Sequence, residues 1–243
     1  MKDNLIESQI NDFSEIDNEF NIDEDDFDIS FDPEKEISLK NSRYIKPKKE
    51  RSIPYNKLKY KNAKKLAKDI NFESLDRVFV VVDGSFIFGD FIEAFIINHR
   101  INVTEMTLST LSMSQDNIDS LANLADNDYI QKLNIIVSDY FYSHERGNLI
   151  KYMYEKLDKE NIFQLAVCRT HCKVYCLKTE GGKHIVIHGS VNLRSSDNLE
   201  QFIIEDNKEI YDFIMDYNEK IIDRYKTIEK SIKSKELFNL IKN

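Results

Sequence analysis

Four side chains in residues 169–201 carry the chemistry to handle a phosphate: His171, Lys173, Ser190 and Asn192. Residues 167–177 read as a strand. Successive side chains of a strand point to opposite faces, which puts His171 and Lys173 on one side and Cys172, Val174 and Cys176 on the other. Thr179-Glu180-Gly181-Gly182-Lys183 has the composition of a hairpin connection. Residues 184–188 then begin a second strand, running back beside the first and bringing Gly189, Ser190 and Asn192 near His171 and Lys173. An imidazole, an ammonium, a hydroxyl and a carboxamide converge in that arrangement. Lys173 supplies charge, Ser190 and Asn192 donate hydrogen bonds, and His171 can attack phosphorus or shuttle a proton.

The order His171-Cys172-Lys173, then Gly189-Ser190-Val191-Asn192, resembles the HxK…GSxN signature of the phospholipase D superfamily, in particular its members with a single copy of the motif. The run from Asn192 to Glu200 is similar to the family's continuation, in which a downstream carboxylate holds the catalytic histidine. The motif covers about thirty residues, and the order of strands and helices extends the likeness over residues 75–217. Two features depart from the family pattern. Lys178 stands where the family has Asp, and the interval from His171 to Gly189 is about four residues longer, with the surplus in the glycine turn, where insertions are tolerated. The resemblance implies an α/β domain with a mixed sheet flanked by helices, and catalysis by His171, Lys173, Ser190, Asn192 and Glu200. It also implies that no metal or cofactor is required. Two motif copies make one active site in the family, so a single-copy chain implies a homodimer.

The formal net charge of −9 averages very different segments. Residues 1–40 hold 14 acids against three lysines, and residues 43–68 hold 11 basic residues against Glu50. The chain divides on this reading into an acidic disordered tail (1–42), a basic linker or arm (43–70), the domain (71–235) and a short C-terminal tail (236–243). Phe13, Phe20, Phe27 and Phe31 among the acids leave open a docking or pseudo-substrate segment for the basic stretch. That basic stretch, interleaved with Tyr44, Tyr55 and Tyr60, suits a nucleic-acid backbone with occasional base stacking. It favours nucleic acid, DNA ahead of RNA, over lipid. No apolar run reaches the length of a membrane span and no leader pattern is visible. Cys168, Cys172 and Cys176 cluster on one strand, with Cys172 and Cys176 read as small core residues, consistent with a reducing, cytoplasmic setting. The alternatives are a non-catalytic nucleic-acid-binding or assembly protein that retains the motif, and a lipid or other phosphodiester hydrolase.

Periodicity gives the scaffold. Strands are expected at 77–82, 103–113, 133–137, 162–167 and 202–204, with a turn at 205–207. Helices are expected at 56–70, 85–100, 114–124, 144–157 and 208–233, the last with Ile210, Phe213, Ile214, Tyr217, Ile221 and Tyr225 as its apolar stripe. Gly89 reads as a point of close packing. Asp83, at a strand end, reads as structural rather than a metal ligand. Of the remaining histidines, His188 shares parity with Ser190, His144 marks a helix start, and His99 and His184 are half-buried or exposed. Arg194 lies close enough to Asn192 to reach a phosphate.

Overall fold

The computed structural model describes residues 55–83, 87–194 and 198–228. The expected acidic tail, the first part of the basic arm, the turn at Gly84 and residues 229–243 lie outside the described residues.

The β-branched run of β1 (Arg77–Asp83) is followed by α1's neighbour in space, α2 (Phe88–His99); α1 itself is Tyr55–Asp69. The chain continues through β2 (Val103–Thr110), α3 (Gln115–Asp126), β3 (Leu133–Ser138), α4 (Asp139–Glu145), α5 (Leu149–Leu157) and β4 (Phe163–Cys168). It ends with β5 (Val174–Thr179), β6 (His184–Gly189), β7 (Leu199–Asp206) and α6 (Lys208–Tyr225). The seven strands form one mixed sheet in the order β1-β7-β6-β5-β2-β3-β4. The strands β2, β3 and β4 are parallel; the other pairings are antiparallel. This is the α/β architecture expected, a mixed sheet flanked by helices.

One face of the sheet packs with residues of α1, α2, α3 and α5 in the main core, where Phe88, Phe91 and Phe202 cluster with centroids 5.1–5.6 Å apart. The other face is covered by α6, whose Tyr211, Ile214 and Met215 pack on Cys176 and Val186. Gly89 lets α2 approach α3: a Cβ there would lie 2.9 Å from the Asn117 Cα, and its N–H donates to Asn117 Oδ1 at 2.7 Å. α1 buries Ala63, Leu66, Ala67 and Ile70, so the second half of the basic stretch packs into the core upstream of residue 71. Its outer face carries Lys61, Lys64, Lys65 and Lys68, all exposed.

Several boundaries differ from the sequence reading, each for a local reason. The strand expected over 167–177 is two strands, β4 and β5, with residues 169–173 outside the sheet. β4 is an edge strand and β5 sits three places away, beyond β3 and β2. At about 4.8 Å per strand the chain must cross roughly 14 Å, which consumes the connecting residues. The helix expected over 144–157 is split into α4 and α5 by Arg146-Gly147-Asn148, so His144 ends a helix rather than starting one. β2 stops at Thr110, and Met113 forms only an isolated bridge with Leu193. β7 extends from Leu199 to Asp206, because Glu205 meets Arg77 (3.0 Å) and Asp206 meets Lys183 (3.1 Å); the turn moves to Asn207, whose side chain caps α6 by accepting from the Ile210 N–H. α6 ends at Tyr225, where Thr227 N–H donates to Leu165 O. Its buried stripe is Tyr211, Ile214, Met215 and Asn218, while Phe213 is 74% exposed.

Between α1, α2 and α3, Asp90 and Glu93 are buried. Lys59 and Tyr60 of α1 and Asp116, Ser120 and Asn123 of α3 surround them. Desolvation pushes the Asp90 carboxyl up to about 6 against a hydrogen bond from Ser120 (2.7 Å), and the Glu93 carboxyl up to about 7. A carboxyl with a raised folded pKa favours the folded state below its unfolded value, and that advantage is lost as pH rises through the folded value. Stability from this cluster therefore falls between about pH 4 and pH 7. Glu93→Gln is expected to stabilise the chain by roughly 1–3 kcal/mol at pH 8 and to have little effect at pH 5, checked by melting temperatures at the two pH values.

Candidate phosphodiester site

The strap of residues 169–173 crosses the carboxyl ends of β2 and β3, and it carries both His171 and Lys173. Ligand sites of open α/β sheets form at such carboxyl ends. Thr170 Oγ1 accepts from the Cys172 N–H at 3.1 Å, which turns the strap tightly beside His171. His171 is exposed, and its ring makes no hydrogen bond among the described residues. Lys173 is half-buried and its ammonium donates to the His171 carbonyl at 3.1 Å. Cys172, expected in the core, is exposed because it lies on the strap; Cys176, inside β5, is fully buried and its thiol is pushed up to about 12 by desolvation.

The second half of the motif follows β6. The Gly189 N–H donates to Lys173 O at 3.3 Å, so the strap and the end of β6 meet backbone to backbone. The hairpin between β5 and β6 makes this meeting, with Val174 opposite His188 and Gly182 at φ +84° in the turn. Residues 189–193 are then fixed from several sides. Ser190 N–H donates to Gln201 O at 2.9 Å, and Gln201 N–H donates to Ser190 Oγ at 3.0 Å. Tyr175 OH donates to Val191 O at 2.6 Å in the core, and Leu193 N–H to Thr110 Oγ1 at 3.3 Å. Burial pushes the Tyr175 phenol up, so it remains a donor at neutral pH. Ser190 Oγ donates to a Glu200 carboxylate oxygen. Asn192 Oδ1 is buried with no hydrogen-bond partner among the described residues. An enclosed amide oxygen without a partner is costly, and being an acceptor it is not the atom that would meet a phosphate oxygen.

The structure therefore brings Ser190 and Glu200 together and sets the Lys173 backbone against Gly189. The contact implied by the family likeness, Glu200 on the His171 ring, is not made; Glu200 takes the Ser190 hydroxyl instead. His188 Nε2 lies 3.7 Å from Glu205 Oε1. His99 Nε2 donates to the Ala67 carbonyl (3.0 Å), and His184 packs edge-on to Tyr211. Arg194 is exposed. Among the described residues no group of three or more His, Cys, Asp and Glu could hold a metal ion.

A cavity of about 640 Å³ opens beside the strap, lined by Ser138, Asp139, Tyr140, Arg169, Thr170 and His171 among others. The strand expected at 133–137 ends just before Ser138-Asp139-Tyr140, to which sequence reasoning gave no role. The usable signal was position: a residue just past a parallel strand's carboxyl end faces the ligand side of the sheet. A slightly larger polar cavity, about 660 Å³, lies at the opposite end of β2–β4 and includes none of the motif residues.

No protein-family model matches the sequence, and no curated protein matches it. Solved structures do resemble the chain. Nuc from Salmonella typhimurium, a phospholipase D family member, is 12% identical over 62% of this chain and 97% of its own, with a TM-score of 0.45. NucT from Helicobacter pylori is 17% identical over the same shares, with a TM-score of 0.46. TrmBL2, an archaeal chromatin protein with a novel mode of DNA binding, is 13% identical over 71% of this chain and 62% of its own, with a TM-score of 0.41.

Proposed function

We propose that the chain is a metal-independent phosphodiesterase of the single-motif phospholipase D type, acting as an endonuclease on DNA or RNA in a homodimer. The observation that carries this reading is the meeting of two separate segments at one point. The strap bearing His171 and Lys173 bonds through its backbone to Gly189, directly before Ser190 and Asn192. In the dimer, two copies of His171 flank one phosphodiester across a twofold axis. A ring nitrogen of one His171 attacks phosphorus, the bond to the leaving oxygen breaks, and the partner's His171 gives that oxygen its proton. The partner's His171 then takes a proton from water, the water oxygen attacks phosphorus, and the N–P bond breaks. Lys173 and Asn192 hold the nonbridging oxygens, where charge gathers in the transition state. Glu200 acts through Ser190, fixing its hydroxyl. The acidic and basic balance supports nucleic acid as the substrate: the exposed lysines at 61, 64, 65 and 68 continue the basic segment 43–60. No described helix is long and apolar enough to cross a membrane.

The exposed, unsupported His171 ring favours one other reading, a nucleic-acid-binding or assembly protein without turnover. Incubating labelled single- and double-stranded DNA and RNA with the full chain in EDTA separates the two. The proposal expects cleavage of at least one substrate; binding of all without cleavage of any gives precedence to the other reading.

A further inference from the structure

Tyr140 is a large aromatic side chain left 66% exposed in the cavity that His171 also lines. Its position is fixed. The Tyr140 N–H donates to Asp139 Oδ1 (2.9 Å), and its carbonyl accepts from Ser143 Oγ (2.9 Å) and lies 2.8 Å from His144 Nδ1. The His144 ring backs the Tyr140 ring, with centroids 4.1 Å apart and planes 35° apart. One side of the phenol ring is thus supported within the protein, and the ring as a whole remains open to solvent. Arg169, on the strap two residues before His171, lines the same cavity; its guanidinium is held 3.3 Å from Asp139 while its side chain stays 93% exposed. A supported flat aromatic surface, a tethered guanidinium and the imidazole share one cavity.

We propose that this cavity is a nucleotide subsite, in which Tyr140 stacks an unpaired base next to the phosphate at His171 and Arg169 meets the adjoining phosphate. The inference deepens the nuclease reading and rests on it: it names a strand whose bases are free to leave the stack as the preferred substrate. A duplex keeps its base faces covered, whereas a single strand or frayed end offers them to an aromatic platform without a sequence requirement. A lipid headgroup phosphodiester has no aromatic ring to stack on Tyr140.

The test is equilibrium binding of labelled oligonucleotides to the full chain carrying His171→Ala, which prevents turnover, alone and combined with Tyr140→Ala or Tyr140→Phe. The probes are a single strand, the same strand with an abasic site at each of several central positions, and the duplex. The subsite expects Tyr140→Ala to weaken single-strand binding about 5- to 100-fold, Tyr140→Phe to bind within about twofold of its parent, and the alanine deficit to shrink on the abasic strand and vanish on the duplex. Equal losses on all three probes, no loss on the single strand, or no binding of the single strand by the parent would each overturn it. Failure of the nuclease reading is seen separately, as absence of cleavage by the chain with His171 intact. Because Tyr140 is on the surface, its substitution should leave the fold intact, checked by an unchanged melting temperature.

Discussion

His171→Ala is expected to abolish nucleic-acid cleavage, by at least about 10⁴-fold, the upper range of what acid–base catalysis alone contributes. The loss is this large because the proposed homodimer would assign both chemical roles to the same residue: nucleophile from one subunit, acid and then base from the other. No subunit of the variant retains either role. The fold is expected to be untouched. His171 is exposed on the strap and its ring has no hydrogen bond among the described residues, so its removal leaves neither a cavity nor an orphaned partner. Oligonucleotide affinity is expected to persist through Lys173, Arg169 and the lysines of α1. Measurement of cleavage, affinity and melting temperature on the same preparation checks all three statements. Cleavage at the parent rate removes His171 from the mechanism.

Gly189→Ala is expected to have the largest effect on the fold and, through it, on the site. A Cβ on Gly189 would sit 2.2 Å from Gln201 O and 2.6 Å from Phe202 Cα. Both are backbone atoms of β7, and Gly189 is paired with Phe202 in the ladder. No side-chain rotation relieves such a contact; β6 and β7 must separate or the motif must shift. Ordinary overpacking costs about 1–3 kcal/mol, and a clash with the partner strand's backbone is expected to exceed about 3 kcal/mol. The same displacement would pull Ser190 from Gln201 and Glu200, the hydrogen bonds that set the second half of the site. Urea unfolding measures the loss of stability, and Gly147→Ala is the control, since a Cβ there meets nothing within 4 Å. If Gly189→Ala and Gly147→Ala unfold alike, the close approach of β6 and β7 is not as described.

The alternation that made residues 167–177 look like one strand is real: Val174, Tyr175 and Cys176 do alternate between the faces of β5. What alternation cannot carry is strand order. That β4 lies at the sheet edge and β5 beyond β2 is a property of tertiary pairing, and it turns the middle of the expected strand into a crossing strap. His171 and Lys173, singled out by type and spacing, were therefore expected on the wrong kind of backbone, and Cys172 with them. The β5–β6 hairpin, by contrast, depends on local chemistry, the glycine turn between two β-branched runs, and its position was legible. On α6 the apolar residues wrap more than one side, so periodicity chose the exposed Phe213 and missed Tyr211 and Met215, which pack opposite Cys176 and Val186, while Ile214 and Tyr217 do pack there. Asn218, fully buried, sits on that stripe although its polarity marks it as surface. Tyr140 was illegible for a related reason. A tyrosine after a strand end has no signature of its own until the strap is seen to bring His171 into the same cavity.

The central claim is that His171 forms a covalent bond to phosphorus without a metal ion. The most direct measurement is to mix the chain with an oligonucleotide labelled at the scissile phosphate in EDTA, quench under denaturing conditions at alkaline pH, and look for label on the protein. The account predicts a protein-bound label that is stable to base, released by mild acid, located by peptide mapping at His171, and absent from His171→Ala. Cleavage that proceeds with no protein-bound label at any time point, or with label on Ser190, would contradict it.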